Sequence, residues 1–412
     1  MSELHNLFLP CPRGLEPALA AEMQALESPT LRTGKEVPSG VPARGTLEDV
    51  MRLNLHSRIA SRVLLRLGHA SVEQADDVYR LALKMPWERW FAPKQTLRVD
   101  VTADHSPLES LHFAALRVKD GVCDRFRMRG MERPDVDREQ PDVRVHLHLS
   151  ATEALLYLDT SGEALFKRGW RTAHGEAPLK ENLAAGLLAL SGWTPGAVLF
   201  DPLCGAGTLV VEAAQMACNL APGLGRGFGF ERLRGFGAQA WQDIRQAALA
   251  ARRAAQAPIF AADIDPRMVE LTRANAQRAG VEAVVQVKQG DVMDAVPPVQ
   301  LQPGQAGHLV TNPPYAERIE AKGREAEEFL PRLGDVLKQR FTGWHAALLL
   351  ADLQADRALR LKPARRHVVY NGPIECRLFT FHLVAGRPPR KASADAAAAE
   401  ETRRQAGPGV GD

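Results

Sequence analysis

From about residue 180 onward, short apolar runs alternate with amphipathic ones. They are "AVLFD", "TLVVEAAQMA", "PIFAAD", "PRMVELTRANAQRAG", "AVVQVKQGD", "HLVTN", "EFLPRLGDVLKQRF", "HAALLLA", "RHVVYNG" and "CRLFTFHLV". Brief, continuously apolar runs belong to strands buried on both faces, and the runs between them carry the helical period. Strict alternation of the two specifies a doubly wound, mainly parallel sheet with helices on both sides. The last two strands are separated only by "PIE", too little chain for a crossover, so they form an antiparallel hairpin at one sheet edge.

The first 160 residues have a different rhythm. "NLFLPCPRGLEPALAAEMQAL" reads as a strand running into Pro12 and Gly14 and then a helix bearing Leu15, Leu19 and Met23. "GTLEDVMRLNLHSRIASRVLLRLG" reads as a helix and a strand, "VYRLALKMPWERWF" as a helix broken near Pro86, and "TLRVDVTA" as a strand. "SPLESLHFAALRVKDGVCDRFRMRG" is a helix capped at Ser106 or Ser110, and "VRVHLHLSATEALLYLDTSG" is two strands around a turn. Mixed elements of this kind make an α+β module ending near residue 160. The tail after Gly386 is low in complexity and expected to be disordered.

Bulk properties narrow the function classes. A chain of 412 residues is long enough for two or three domains. No apolar run is long enough to span a bilayer, and the N-terminus lacks the basic start and long apolar centre of a signal peptide. The five cysteines, Cys11, Cys123, Cys204, Cys218 and Cys376, include no CxxC pair. That argues against a disulfide framework or zinc site and for a reducing cytoplasm. With 52 basic against 49 acidic side chains the net charge is only +3, so any nucleic-acid affinity must come from local patches.

Chemistry concentrates at the strand ends. "VLFDPLCGAGTLVVEAA" is a strand, a turn containing Gly205 and Gly207, and a helix. It fits a dinucleotide fingerprint poorly: Val210 stands where a small residue is needed, and Asp263 lies well beyond the roughly 20 residues at which a ribose-binding acid is expected. A Gly- and aromatic-rich insertion, "CNLAPGLGRGFGFERLRGFG", intervenes. Four successive strands put Asp201, Asp263 with Asp265, Asp291 and Asn312 at their carboxyl ends, where open α/β sheets bind ligands. Acids around a glycine turn repel a pyrophosphate but suit an amine, a ribose diol and an adenine amino group. S-adenosylmethionine carries all three. Each of these residues also has a plainer reading: Asp201 and Asp265 as helix caps, Asp291 as a turn closer, Cys204 as small packing.

The chain resembles the THUMP-containing class I RNA methyltransferases, above all the RlmL-type guanine-N2 methyltransferases of large-subunit (23S) ribosomal RNA. The resemblance spans about residues 1–385. It rests on "LFLPCPRGLEPALAAEM", "FKRGWRTAHGEAPLKENLAAGLL", "DPLCGAGTLVVEAA", "NLAPGL", "AADIDPRMVELTRANAQRAGV", "TNPPYAERI" and "NGPIECRLF". It implies a ferredoxin-like segment over 1–60 and a THUMP RNA-binding domain over 45–160. A Rossmann-like class I methyltransferase domain would follow over 161–385, with a tail over 386–412. It implies S-adenosylmethionine held by Asp201, Cys204, Gly205, Gly207, Thr208, Asp263, Ile264, Asp291, Val292 and Asn312, and catalysis by Asn312, Pro313 and Tyr315 without a metal. The partner implied is 23S rRNA or a large-subunit assembly intermediate, with no membrane. Some bacterial members carry a second methyltransferase domain; since the chain stops here, a single activity is expected.

That resemblance explains why "LVTNPPYAERI" ends a buried strand with an amide, two rigid residues and a ring. An exocyclic amine on a base is a poor nucleophile because its lone pair is delocalised. The Asn312 side-chain oxygen and the Pro313 carbonyl can accept its two N–H groups and aim the remaining lobe at the methyl donor. The prolines preset that geometry, and Tyr315 offers a face for an extruded base. The same motif serves any planar amine. Guanine N2 of tRNA, adenine N6 and protein glutamine therefore stay open as substrates, as does a silent RNA-binding protein, which an eroded glycine loop or lost Asn would mark. "KRGWR" and "PLKEN", with Lys167, Arg168, Arg171 and Lys180, are either a basic linker or part of the cofactor and RNA entrance. "RVKDGVCDRFRMRGMER", with Arg125, Arg127 and Arg129, and "RALRLKPARR" are candidate phosphate contacts.

Overall fold

The computed structural model describes residues 3–171, 179–314 and 324–384, and among these two seven-stranded sheets carry the chain. The first holds β1 (His5–Pro10), β2 (Arg32–Thr33), β3 (Gly40–Gly45), β4 (Leu64–Ser71), β5 (Leu97–Ala103), β6 (Val143–Leu149) and β7 (Glu153–Asp159). Their order is β2-β3-β1-β4-β7-β6-β5, antiparallel throughout except for β5 beside β6. Alternate residues, among them Leu7, Leu9, Val41, Ala43, Leu65, Val145, Leu147, Leu156 and Leu158, enter the core. Because β7 pairs with β4 on one side and β6 on the other, the expected ferredoxin-like and THUMP segments share one continuous sheet.

Local signals set the helix ends. Thr46 and Asp49 form a reciprocal capping box for Leu47–His56. Ser110, not Ser106, caps Leu111–Met128, accepting from Phe113 N at 3.1 Å. Pro86 follows Ala75–Lys84 and leads into a single 3-10 turn, Trp87–Arg89. Strands β2 and β3 went unread in the sequence because "GVPARG" carries Gly40 and Pro42. Proline survives there because β3's outer neighbour is only two residues long.

The second sheet holds β8 (Val198–Asp201), β9 (Ile259–Asp263), β10 (Val285–Gln289), β11 (Gly307–Thr311), β12 (Trp344–Leu350), β13 (Arg365–Asn371) and β14 (Ile374–His382). Their order is β10-β9-β8-β11-β12-β14-β13. Strands β8 to β12 are parallel, and β13 and β14 form the antiparallel edge hairpin expected from "PIE". Both faces are buried. Leu199, Val310, Ala347 and Leu349 join one apolar layer with Val210 and Val211, whereas Phe200, Leu309 and Leu348 join another with Leu333 and Leu337. The chain steps from β8 outward to β9 and β10, then returns to β11 on the other side of β8. That reversal opens the crevice in which such sheets hold ligands.

Two joints fix the sheets to each other. At the first, the insertion after helix Thr208–Ala217 grips the N-terminal module: Phe230 N donates to Thr160 O at 2.9 Å, Gly223 N to Leu55 O at 3.0 Å, and Arg226 to the carbonyls of Glu163 and Ala164 at 2.6 and 2.7 Å. Phe228 and Phe230 stack at 5.3 Å, with Trp241 edge-on to both. At the second, the loop after β1 meets the other domain. Tyr370 N donates to Arg13 O at 3.0 Å, a side chain at Gly14 would strike the Val368 carbonyl, and one at Gly186 would strike Leu15. Among the described residues no helix is long and apolar enough to cross a membrane.

Candidate active site

Strand register brings the strand-end residues to one level. Asp201 of β8 lies opposite Ala261 of β9, and Asp263, two residues on, lies opposite Gln289 of β10. On the other side Leu309 of β11 lies opposite Phe200, so Asn312, one residue beyond β11, projects past the same edge. The sheet therefore collects Asp201, Asp263, Asp291 and Asn312 at one rim.

The glycine turn is held from behind. Thr272 donates its hydroxyl to Gly205 O at 2.7 Å, and Asn275 Nδ2 donates to Ala206 O at 2.8 Å. Asp263 Oδ2 accepts from Gly205 N at 2.9 Å and its Oδ1 from Asp265 N at 2.9 Å. Thr272 and Asn275 lie on helix Pro266–Arg278 and were not singled out in the sequence. Their only signal was two polar positions, one turn apart, on a helix whose neighbours are core residues.

Gly205 and Gly207 differ in what demands glycine. Both have positive φ, +52° and +82°. A Cβ at Gly205 would meet no protein atom within 4 Å, so the turn there is an open cradle. A Cβ at Gly207 would sit 2.6 Å from Thr272 Cγ2. Gly207→Ala should therefore lower the melting temperature, adding a clash to the about 1–2 kcal/mol that left-handed backbone costs an L-residue. Gly205→Val should cost only that backbone strain, so the chain folds and loses affinity for whatever occupies the cradle. Parallel melting and calorimetric titration with S-adenosylmethionine separate the two; equal melting losses would contradict the distinction.

Asp201 is fully buried, and burial pushes its carboxyl up to about 7, against the Thr311 hydroxyl and the Leu203 N–H and with help from the charge of Asp263. Ile264 is 61% exposed, an apolar surface beside Asp263. Asp265 caps its helix through Arg267 N and pairs with Arg267, the plainer of its two readings. Asp291 caps the 3-10 turn Val292–Asp294 through Met293 N while its side chain stays exposed. The Val292 side chain is in the core, leaving only its main chain to face a ligand. Cys204 is buried against Thr272, with its N–H spent on Ala262 O and its C=O on Gly207 N. Burial raises its thiol, so it shapes the turn and is no nucleophile. Thr208 is buried too, and its hydroxyl accepts from Arg171 at 2.5 Å.

At the end of β11, Asn312 is half-buried and Pro313 buried. Asn312 Oδ1 is buried and without a hydrogen-bond partner among the described residues. An orphaned acceptor of this kind costs about 1–3 kcal/mol. Such costs cluster where a ligand supplies the missing donor. Tyr315 lies outside the described residues.

The basic segments resolve differently from each other. Arg168 and Arg58 both pair with Glu212, at 3.1 and 3.3 Å; Arg168 and Glu212 are deeply buried and Arg58 mostly so. Arg171 pairs with Glu181 at 3.1 Å. Arg168 is thus an internal staple of the joint, through Arg58, and Arg171 a staple within the second domain, through Glu181 and Thr208; neither lies open at an entrance, and Lys167 is exposed and pairs with Glu163. On helix Leu111–Met128 and just beyond it, Arg125 and Arg129 converge on Glu88 and Arg127 pairs with Asp124, so the three arginines expected to meet phosphates share two carboxylates. In "RALRLKPARR", Arg366 pairs with Asp356 and the other basic residues are exposed.

Comparison with known proteins identifies this arrangement. Residues 168–380, just over half of the chain, match the family model described as RMKL-like, methyltransferase domain. The chain belongs to that family. Within this RMKL-like chain, residues 72–159 match the THUMP domain and residues 6–64 the RlmL ferredoxin-like domain. It is 38% identical over 390 residues to the ribosomal RNA large subunit methyltransferase K/L of Psychromonas ingrahamii, covering 93% of this chain and 51% of that protein. The chain therefore spans about half the length of the curated relatives it matches. Among solved structures, SMU.472 complexed with SAH superposes with a TM-score of 0.83 at 27% identity, covering 94% of this chain and all of that one. A predicted N6-adenine-specific DNA methylase from Listeria monocytogenes superposes with a TM-score of 0.79 at 28% identity, covering 92% and 96%.

Proposed function

We propose that this chain is an S-adenosylmethionine-dependent methyltransferase acting on the exocyclic N2 amine of a guanine in 23S ribosomal RNA. The observation that carries the reading is the orphaned acceptor of Asn312, held at the rim of the strand that neighbours the glycine turn. The residues present suit the cofactor: an open cradle at Gly205, carboxylates at Asp201 and Asp263, and an apolar surface at Ile264. When bound, S-adenosylmethionine supplies an activated methyl group. The chain's own work is positional. Asn312 Oδ1 and the Pro313 carbonyl accept the N–H groups of the substrate amine and stabilise the positive charge that grows as nitrogen attacks. Tyr315, outside the described residues, is proposed to offer a face for the extruded base.

Ribosomal RNA is favoured by the THUMP module and by the names of the K/L relatives, and guanine N2 by the resemblance to the RlmL-type enzymes. Incubating the chain with labelled cofactor and unmodified 23S rRNA, tRNA or DNA tests the substrate class. Label confined to 23S rRNA supports the proposal; label in tRNA or DNA alone contradicts it.

Asp201 adds a pH signature. Its folded pKa lies above the ordinary carboxylate value of 3.8, so the unfolded chain ionises first, and stability from this group is lost as pH rises from about 4 through 7. A cationic ligand requires the carboxylate, so cofactor binding should release a fraction of a proton near pH 7 and tighten between pH 6 and 8. Calorimetry in buffers of different ionisation enthalpy reads that proton. Asp201→Asn should abolish the release; a wild-type chain that releases none would contradict the assignment.

A further inference from the structure

We infer that the uncovered face of the N-terminal sheet, around Arg32, Arg44 and Arg66, is the seat of a single-stranded RNA segment. The inference rests on the proposal that the substrate is RNA and names the surface that grips it. A groove of about 310 Å³ lies on that face, lined by these three arginines with Asn6, Phe8 and Tyr157. Strand register puts them in a row. Arg32 is directly opposite Arg44, Arg44 opposite Asn6, and Arg66 opposite Tyr157.

Charge marks this half of the face. All three arginines are exposed, and no described carboxylate lies within 4.0 Å of any of them. Elsewhere on and beside the same sheet the arginines are matched: Arg62, just before β4, with Asp159, Arg98 with Asp100 at 2.8 Å, and Arg144 with Glu163 at 3.0 Å. Helix Leu111–Met128 is matched as well, Arg117 with Asp76 and Lys119 with Asp120. Like charges directly opposite on neighbouring strands are destabilising, so the unmatched Arg32–Arg44 pair carries a cost that an anion removes. Lys35 and Glu36, at the nearby β2–β3 turn, are exposed and offset each other.

The partner chemistry follows. A row of guanidinium groups across strands suits successive phosphates of an extended strand. Phe8, half-exposed in the middle of the groove with Tyr157 packed 6.2 Å away, offers a ring on which an unpaired base can stack. Duplex RNA keeps its bases stacked inside, so an aromatic platform favours a single strand.

The test is titration of the full chain with a fluorescent single-stranded RNA, comparing wild type with Arg32→Ala/Arg44→Ala/Arg66→Ala. Each phosphate contact on a single strand adds about 0.7 to the slope of log K against log salt, so the slope should fall by about 2 and affinity by on the order of 100-fold at 0.1 M salt. Unchanged melting and cofactor affinity verify that the variant is folded. Arg127→Ala/Arg129→Ala should bind RNA like wild type. If wild type binds RNA and the triple variant binds as tightly with the same slope, the surface is misassigned while the enzymatic reading stands. If wild type neither binds nor methylates RNA, the enzymatic reading fails and takes this one with it. Loss of poly-glutamate binding with RNA binding retained would overturn the inference in favour of an acidic protein partner.

Discussion

Asn312→Ala lowers the rate of methyl transfer by about 10²–10³ without weakening the fold, the usual cost of losing one preorganised contact to developing charge. The stability half of this expectation is the more unusual. Most buried polar groups are satisfied, so removing one destabilises; Asn312 Oδ1 is buried without a partner among the described residues, and its removal relieves a penalty. The variant should therefore melt at or above the wild-type temperature while turnover collapses, the signature of a residue kept for activity at the expense of stability. Asn312→Asp keeps an acceptor but adds a negative charge near a cationic donor, so partial rescue is the most it can give. Single-turnover kinetics alongside thermal melting reads both quantities. Wild-type turnover in Asn312→Ala, or a melting loss that accounts for the missing activity, would contradict the role.

Glu212→Ala destabilises the full chain by about 3–5 kcal/mol, because it leaves the Arg58 and Arg168 guanidinium groups buried and unmatched. Against the roughly 5–15 kcal/mol that holds a typical domain folded, that is a large fraction. The loss is not confined to the core. Glu212 lies on helix Thr208–Ala217, whose N-cap is Gly207, and Arg58 comes from the N-terminal module, so one carboxylate ties that module to the methyltransferase domain. Glu212→Gln, which keeps the shape and one acceptor oxygen but turns an NH2 toward one of the two arginines, should lose less. Urea titration of the three proteins measures the effect, and an unshifted midpoint for Glu212→Ala would show that the triad carries no net stability.

Local pattern reveals what is locally encoded. The alternation after residue 180, the glycine turn, the rim of acids and the edge hairpin at Pro373 all follow from periodicity and turn chemistry, and the structure has each of them. The cap at Ser110 and the break at Pro86 were legible for the same reason. Residues whose roles come from distant partners were not. Nothing in "KRGWR" announces that Arg168 will be buried against Glu212, 44 positions later, or that Arg171 will hold Thr208. Arg125 looked available for phosphate until Glu88 arrived beside it from another element. Thr272 and Asn275 gave no sign of holding the glycine turn, since their partners are main-chain carbonyls 67 and 69 residues upstream. The insertion after Cys218 read as Gly- and aromatic-rich and nothing more; its grip on Thr160 and Leu55 belongs to tertiary structure.

The central claim is that Asn312 and its neighbours methylate guanine N2 in ribosomal RNA. The most direct measurement is transfer of labelled methyl from S-adenosylmethionine to total RNA of a strain lacking this chain, followed by digestion to nucleosides and chromatography. The account predicts label as N2-methylguanosine, recovered from the 23S fraction and absent with Asn312→Ala. Label recovered as N6-methyladenosine, or as N2-methylguanosine made equally well by Asn312→Ala, would contradict it.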